Sequence, residues 1–474
     1  MIDSRETAPG AAHRDMYLND AGQVVREWSL DGPLSAAIPG TPAALHHLAE
    51  HYGQLPLKVT LAPAISHARE GFLVSPRYQR FSQFRLAALR ASPAAAKIFL
   101  HENEVPELNS LIIQTDLANT LERIAREGRE GFYRGPVAQM MVDAVQLDGG
   151  IWTLEDLANY QLVERQPIHA QIGDFTITSA ALPSAGGILL VSMLKQLELL
   201  GYQHANPQQQ HHYLAEVMRR AYRDRNLYLG DADFVGIPEH LTTQAHAQQQ
   251  ITDIDHYQAS NSEQMWDAYA TKGQDTTHFS IIDAEGNRVA ATLSINYPFG
   301  SGYVAAGTGV LLNDEMDDFS VQPGTANAYE LVSESANAIE PHKRPLSSMT
   351  PTFIENDSRV AILGTPGGSR IISMVLQGAL AFMEGDNAQG MVSRSRLHHQ
   401  FLPDRIQLES PGFSTSAAAD LRQRGHTVHV LNRQFGNMQV VVRDKRSGLT
   451  EAASDPRGEG SSAVLFQTVA DADQ

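Results

Sequence analysis

The run Asp275-Thr276-Thr277-His278-Phe279-Ser280 sets hydroxyl side chains where a polar approach, residues 271–275, meets an alternating apolar stretch. A threonine hydroxyl is a poor nucleophile near neutral pH and reacts only when a base takes its proton. One such base is the residue's own α-amino group, freed when the preceding peptide bond is cut; its ordinary pKa of about 7.7 to 8.0 leaves it substantially neutral at physiological pH. Thr276 is therefore a candidate nucleophile that acquires its own base once the peptide bond between Asp275 and Thr276 is broken. Acyl transfer through a hydroxyl also needs donors for the developing oxyanion, commonly backbone N–H groups. Thr365-Pro366-Gly367-Gly368-Ser369 lies between an apolar strand and a helix, where unpaired N–H groups and the helix dipole favour negative charge. Strand, glycine loop and helix superficially suggest a phosphate loop, but the Lys-Ser/Thr pair of that motif is missing.

The elements that must hold these groups follow from the pattern of the chain. Residues 277–282 read as a strand that turns at Ala284-Glu285-Gly286-Asn287 and returns over 289–295, a β-hairpin. Ser294 and Asn296, two apart on that return, share a face from which both reach Thr276. Upstream the chain is largely helical. Thr41 with Pro42 opens one helix as its N-cap, and Thr115 caps another over 116–127 that stops at Gly128. Pro136 begins a helix ending near Gly149-Gly150, and Thr153 with Asp156 starts the next. Residues 188–200 form a helix, and 211–229 a long amphipathic one with Leu214, Met218, Ala221 and Tyr222 inside and Arg219, Arg220 and Arg223 outside. Downstream, strands are expected over 304–312, 360–363, 427–431 and 438–443, with helices over 369–384 and 417–424. This is a mixed α/β chain.

At 474 residues and 42% hydrophobic, the chain buries a large core, and no linker divides it. A formal charge of −18 repels nucleic acid and anionic membrane surfaces, which favours small-molecule chemistry. The absence of cysteine excludes disulfides, thiolate zinc sites and a Cys nucleophile together. The most apolar helical run, 371–383, is shorter than the roughly 20 residues a membrane span needs, and residues 1–20 carry no apolar leader core. His46-His47, His211-His212 and His398-His399 invite a metal reading, but adjacent histidines point to different sides and no HExxH or carboxylate spacing accompanies them; no metal or cofactor is expected.

Five blocks, in order, resemble the γ-glutamyltransferases, also called glutathione hydrolases: Arg5-Glu6-Thr7-Ala8-Pro9; Thr276-Thr277-His278-Phe279-Ser280; Leu311-Leu312-Asn313-Asp314-Glu315-Met316-Asp317-Asp318-Phe319-Ser320; Lys343-Arg344-Pro345-Leu346-Ser347-Ser348-Met349; and Gly364-Thr365-Pro366-Gly367-Gly368-Ser369-Arg370. Any one block is weak; the ordered set covers nearly the whole chain. The resemblance implies the four-layer αββα sandwich of the N-terminal nucleophile hydrolases, with residues 1–275 as a large subunit and 276–474 as a small one, both cut from one precursor. Members similar to this chain have a substantial stretch before the Arg-Glu-Thr-Ala-Pro block, so a chain whose block starts at Arg5 looks truncated. The resemblance also implies export, to the periplasm or the medium.

Residue roles follow from the same likeness. Thr276 would attack the carbonyl of Asp275 during maturation and then the γ-amide of glutathione or its conjugates, with water or an amino acid or peptide amine resolving the ester. Ser294 matches the family's second active-site threonine and keeps its hydrogen bond, and the Gly367 and Gly368 amides match the oxyanion hole. Glu315, Asp318 and Asn296 would take the substrate ammonium; Arg5, Ser347 and Ser348 its carboxylate. Without the family, Glu315 to Asp318 reads as a solvated acidic turn or a Ca²⁺ loop, and Arg5 lies where chain ends fray. Residues 321–342, with Tyr329, resemble the lid loop of many bacterial members. The rivals are an acylase of the same superfamily, such as one acting on cephalosporin side chains, and an inactive truncated remnant.

Overall fold

The computed structural model describes residues 1–262, 276–322, 327, 331 and 334–465. Two expected functional residues, Asp275 beside the cut and Tyr329 in the lid, lie outside the described residues.

The fold is organised on a six-stranded antiparallel sheet in the order Thr450–Ser454, Gln439–Asp444, Arg359–Gly364, Thr352–Glu355, Phe175–Ser179, Ile168–Ile172. Its central strand, Arg-Val-Ala-Ile-Leu-Gly, is apolar on both faces because both are covered, and everything after Arg359 is buried. Helices Gly186–Leu199 and Arg370–Met383 cover one face, with the Pro207–Tyr228 helix packed against the first of them. The hairpin Thr277–Ile282 and Arg288–Leu293 lies on the other face, against the strands Arg359–Gly364 and Gln439–Asp444. Alternation then sorts its side chains: His278 turns inward and is buried, whereas Phe279, Ile281 and Val289 face outward at 42%, 49% and 43% exposure. A second core lies among helices Thr115–Glu127 and Gly135–Leu147. A third joins Ala8 and Tyr17 near the first residue to Met316 and Phe319 beside the acidic turn.

Several elements differ in detail from the sequence reading. Residues 304–312 do not form one strand: Val304–Ala305 and Val310–Leu311 fold back on each other, because Gly307 and Gly309 take φ of 79° and 68° and turn the chain between them. Thr41 and Thr115 are the first residues of their helices rather than caps, and neither helix has a side-chain cap. Thr153 and Asp156 do form a reciprocal capping box.

Arg219 and Arg220 are not outside; both are buried. Arg220 bonds Glu216 Oε2 at 2.6 Å and Asp253 Oδ1 at 2.7 Å, and Arg219 pairs with Asp404 and, at 3.4 Å, with Glu216 Oε1. Burial alone would raise the Glu216 pKa, but the two guanidinium groups overcome it and hold the carboxyl down at about 2. Charge spacing on a helix did not show this, since Asp253 and Asp404 come from distant segments. The same helix corrects the histidine reading: His212 and Glu216 do stand one turn apart, and His426 joins them within 4.8 Å. Their atoms are engaged with one another and with arginine. His212 Nε2–H donates to the Asp255 carbonyl at 2.8 Å, leaving Nδ1 to accept from His426 Nε2–H at 2.8 Å. With two guanidinium groups on Glu216, this is an ion-pair and hydrogen-bond network, and a cation there would meet positive charge.

Candidate active site

Thr276 stands immediately before the Thr277–Ile282 strand, at its mouth on the sheet. Its hydroxyl donates to Ser294 Oγ at 3.3 Å. The return strand ends at Leu293, so Ser294 and Asn296 do not meet Thr276 by strand alternation. Instead the chain breaks away: Ser294 Oγ accepts from the Asn296 amide at 2.9 Å, and Asn296 takes a φ of 68°. This tight turn aims the Asn296 side chain at the Asp314 carbonyl, 3.0 Å away, and the Asp314 carboxylate receives the Tyr297 amide at 3.0 Å.

The pocket beside Thr276 holds an empty volume of about 300 Å³, lined by Arg5, Ser294, Asn296, Glu315, Asp318, Ser347, Ser348 and Gly368 together with Leu331, Met349, Ser369 and Ile371. Gly367 lies next to this lining and not in it. Gly367 and Gly368 adopt φ of 143° and 56°, and a Cβ on Gly367 would meet Met374 Cε at 2.6 Å. Conformation thus favours glycine at both positions, and the Met374 methyl would have to move aside for a side chain on Gly367. Their carbonyls begin the Arg370–Met383 helix by accepting from Arg370 and Ile371 at 3.1 Å, while their N–H groups make no hydrogen bond among the described residues. Two free amides at a helix start are ready-made anion donors.

Opposite them lies a cluster of charge. The segment Glu315–Asp318 is a buried 3-10 turn, not a solvated one. Asn313 pins it to Ala37 by accepting from the Ala37 amide at 3.0 Å and donating to its carbonyl at 2.9 Å. Arg5 enters this cluster and does not fray. Ile2–Asp3 pairs with Val163–Glu164, Tyr160 donates to the Arg5 carbonyl at 3.0 Å, and Arg5 Nε donates to Pro345 at 3.2 Å. Its guanidinium lies 2.7 Å from Glu315, 2.5 Å from Asp318 and 3.7 Å from Glu6. Burial works against the Arg5 charge, but Glu315, Asp318 and Glu6 outweigh it and hold the group charged well above its ordinary range. Burial, with the neighbouring acids, outweighs the Arg5 charge and pushes Glu315 well upward and Glu6 upward. Asp314, fully buried, is pushed well upward by burial as well. Arg225, also buried, adds a second guanidinium near Asp318 and Arg5, and Glu315 and Glu6 remain the carboxyls pushed upward. Ser348 Oγ is buried without a hydrogen-bond partner among the described residues, and Ser347 Oγ accepts from Met349 at 3.1 Å, so both hydroxyls retain capacity for an anionic ligand.

Sequence reasoning missed Asp314, whose acidic neighbours hid its inward direction, and the apolar rim of Leu331, Met349 and Ile371. Asn327 Nδ2 reaches Asp318 Oδ1 at 3.3 Å and so touches the acidic cluster.

Known proteins resemble this chain in sequence and in fold. The cephalosporin acylase of Bacillus halodurans superposes with a TM-score of 0.85 over 98% of this chain and 85% of that one, at 24% identity. The gamma-glutamyltranspeptidase of Helicobacter pylori matches 56% of this chain and 76% of its own with a TM-score of 0.54 and 34% identity. Among curated sequences, the glutathione hydrolase proenzymes of Pseudomonas aeruginosa and Escherichia coli K12 are each 38% identical, over 98% and 96% of this chain and 84% and 80% of theirs. The fold is the α+β sandwich of the N-terminal nucleophile hydrolases. Within that class the chain belongs to the gamma-glutamyltranspeptidase family, whose sequence model matches residues 1–465. No helix among the described residues is long and apolar enough to cross a membrane.

Proposed function

We propose that this protein is a γ-glutamyltransferase and glutathione hydrolase that matures by cutting itself before Thr276. The observation that carries this reading is the charge arrangement around the nucleophile. A pocket that sets carboxyls raised by burial, an arginine and two serine hydroxyls beside Thr276 suits a ligand carrying an ammonium and a carboxylate on one carbon.

In maturation, Thr276 Oγ adds to the Asp275 carbonyl carbon, the C–N bond breaks, and the acyl group moves from nitrogen to oxygen. Water then cleaves the ester, leaving the Asp275 carboxylate and a Thr276 with a free amine and hydroxyl. In turnover that amine takes the hydroxyl proton as Oγ attacks the γ-carbonyl of the donor, and returns it to the departing amine. The Gly367 and Gly368 amides stabilise the oxyanion, and Ser294 fixes the direction of the hydroxyl. Glu315, Asp318 and Asn296 receive the donor's ammonium; Arg5, Ser347 and Ser348 receive its carboxylate. Water or an amino acid or peptide amine resolves the γ-glutamyl ester. Residues 1–275 and 276–474 form the large and small subunits, and the enzyme works in the periplasm or the medium. None of these steps uses a metal or an organic cofactor.

A superfamily acylase would need no ammonium site, and a donor pair separates the two readings. γ-Glutamyl 4-nitroanilide and glutaryl 4-nitroanilide differ only in the α-ammonium. The first is expected to be preferred by about 100-fold or more in kcat/KM, because without the ammonium the buried carboxylates stay unsatisfied. Equal rates, or a preference for the glutaryl compound, would favour the acylase.

A further inference from the structure

His278 sits two residues past the nucleophile and takes no part in the chemistry above. Its side chain faces the six-stranded sheet and is 6% exposed. A Cβ on Gly364 would fall 2.2 Å from Cε1, 2.3 Å from Nδ1 and 2.6 Å from Nε2 of this ring, so the imidazole lies across a bare Cα. Gly364 has no positive φ; space, not conformation, requires glycine there.

The ring cannot turn freely. Ser280 Oγ gives its proton to the Gln439 carbonyl at 3.2 Å and therefore accepts from Nε2–H at 3.1 Å. Nδ1 is left to accept from Thr292 Oγ1 at 2.8 Å. Thr292 is the hairpin partner of His278, and Gln439 is the sheet partner of Gly364. The ring thus ties the hairpin that begins at Thr276 to the strand end that runs directly into Gly367 and Gly368. Burial lowers its pKa to about 3, so the tie carries no charge at physiological pH.

We propose that His278, lying on Gly364 and clamped by Thr292 and Ser280, is the positioning residue that sets the separation between the Thr276 hydroxyl and the oxyanion amides. The inference rests on reading Thr276 as the nucleophile and those amides as the oxyanion donors.

A double-mutant cycle on full-length protein tests it, read with γ-glutamyl 4-nitroanilide well below each variant's melting temperature. Gly364→Ala drives a methyl into the ring and is expected to lower kcat about 100-fold with KM changed less than about 3-fold, the scale of an ångström's misplacement. In the His278→Ala background the same methyl meets no ring, so its further cost should shrink to about 3-fold or less. Self-cleavage uses the same atoms and should show the same non-additivity. Thr292→Val frees Nδ1 without crowding Gly364 and should lower kcat about 10-fold, which keeps the idea testable if Gly364→Ala does not fold. The acid limb of kcat/KM should stay in place in Thr292→Val, since the ring is not the base. Additive losses, a rise in KM at constant kcat, or an unchanged kcat in Thr292→Val would overturn the proposal. Activity surviving in Thr276→Ala would instead overturn the reading on which it rests.

Discussion

Thr276→Ala is expected to yield one uncut chain with at least about 10³-fold less activity toward γ-glutamyl 4-nitroanilide, while the wild-type protein runs as two bands on a denaturing gel. The alanine keeps the Cβ and removes both the attacking oxygen and the donor to Ser294 Oγ, so neither scission nor turnover has a nucleophile. The loss is larger than that for a removed oxyanion donor, which costs about 10² to 10³, because the neighbouring hydroxyls of Ser294 and Thr277 gain no α-amino group of their own to act as base. Thr276→Ser retains the oxygen and should still cut, more slowly. In the wild type, amino-terminal sequencing of the smaller fragment should read Thr-Thr-His. An active preparation whose smaller fragment starts elsewhere, or a Thr276→Ala chain that still cuts itself, would refute the mechanism.

Arg5→Gln should have the second-largest effect, on both binding and stability. The substitution removes the guanidinium that lies within 4.0 Å of Glu6, Glu315 and Asp318. Orphaning a buried charge partner costs about 2 to 5 kcal/mol, so a fall of roughly 100-fold in kcat/KM, carried mainly by KM, is the expected scale. The pH dependence has a definite sign. Without Arg5 the carboxyls already pushed up by burial rise further above their unfolded values, so the folded state holds protons that the unfolded state has released. The variant's stability is then retained at low pH and lost as pH rises through the raised pKa values. Melting temperatures should differ less from wild type at pH 5 than at pH 8; a deficit independent of pH would contradict the shared-cation arrangement.

Legibility in the sequence followed the range of the interactions involved. The hairpin could be read because its strands, turn residues and register are local, and the strand from Thr277 to Ile282 has the expected bounds. The approach of Ser294 to Thr276 was foreseen, but for the wrong reason: alternation stops at Leu293, and the turn at Asn296 makes the contact. Arg219 and Arg220 were misplaced because a helical wheel shows charge and not the distant acids that neutralise it. Gly307 and Gly309 were the available signal against a continuous strand over 304–312. The burial of Glu315 was hidden, since a run of acidic residues reads as solvated until Arg5, some 300 positions away, is brought beside it. His278 looked like any strand residue, because its counterpart Gly364 belongs to a different part of the sheet.

Among the described residues, the hairpin carrying Thr276 packs on the main sheet by its inner side, while Phe279, Ile281 and Val289 look outward. A two-stranded ribbon has little cohesion of its own, and local opening draws on the least supported parts of a fold first. This ribbon is therefore expected to open before the main sheet does. On slow heating, turnover should fade while helical ellipticity is still intact, and brief cooling should restore it.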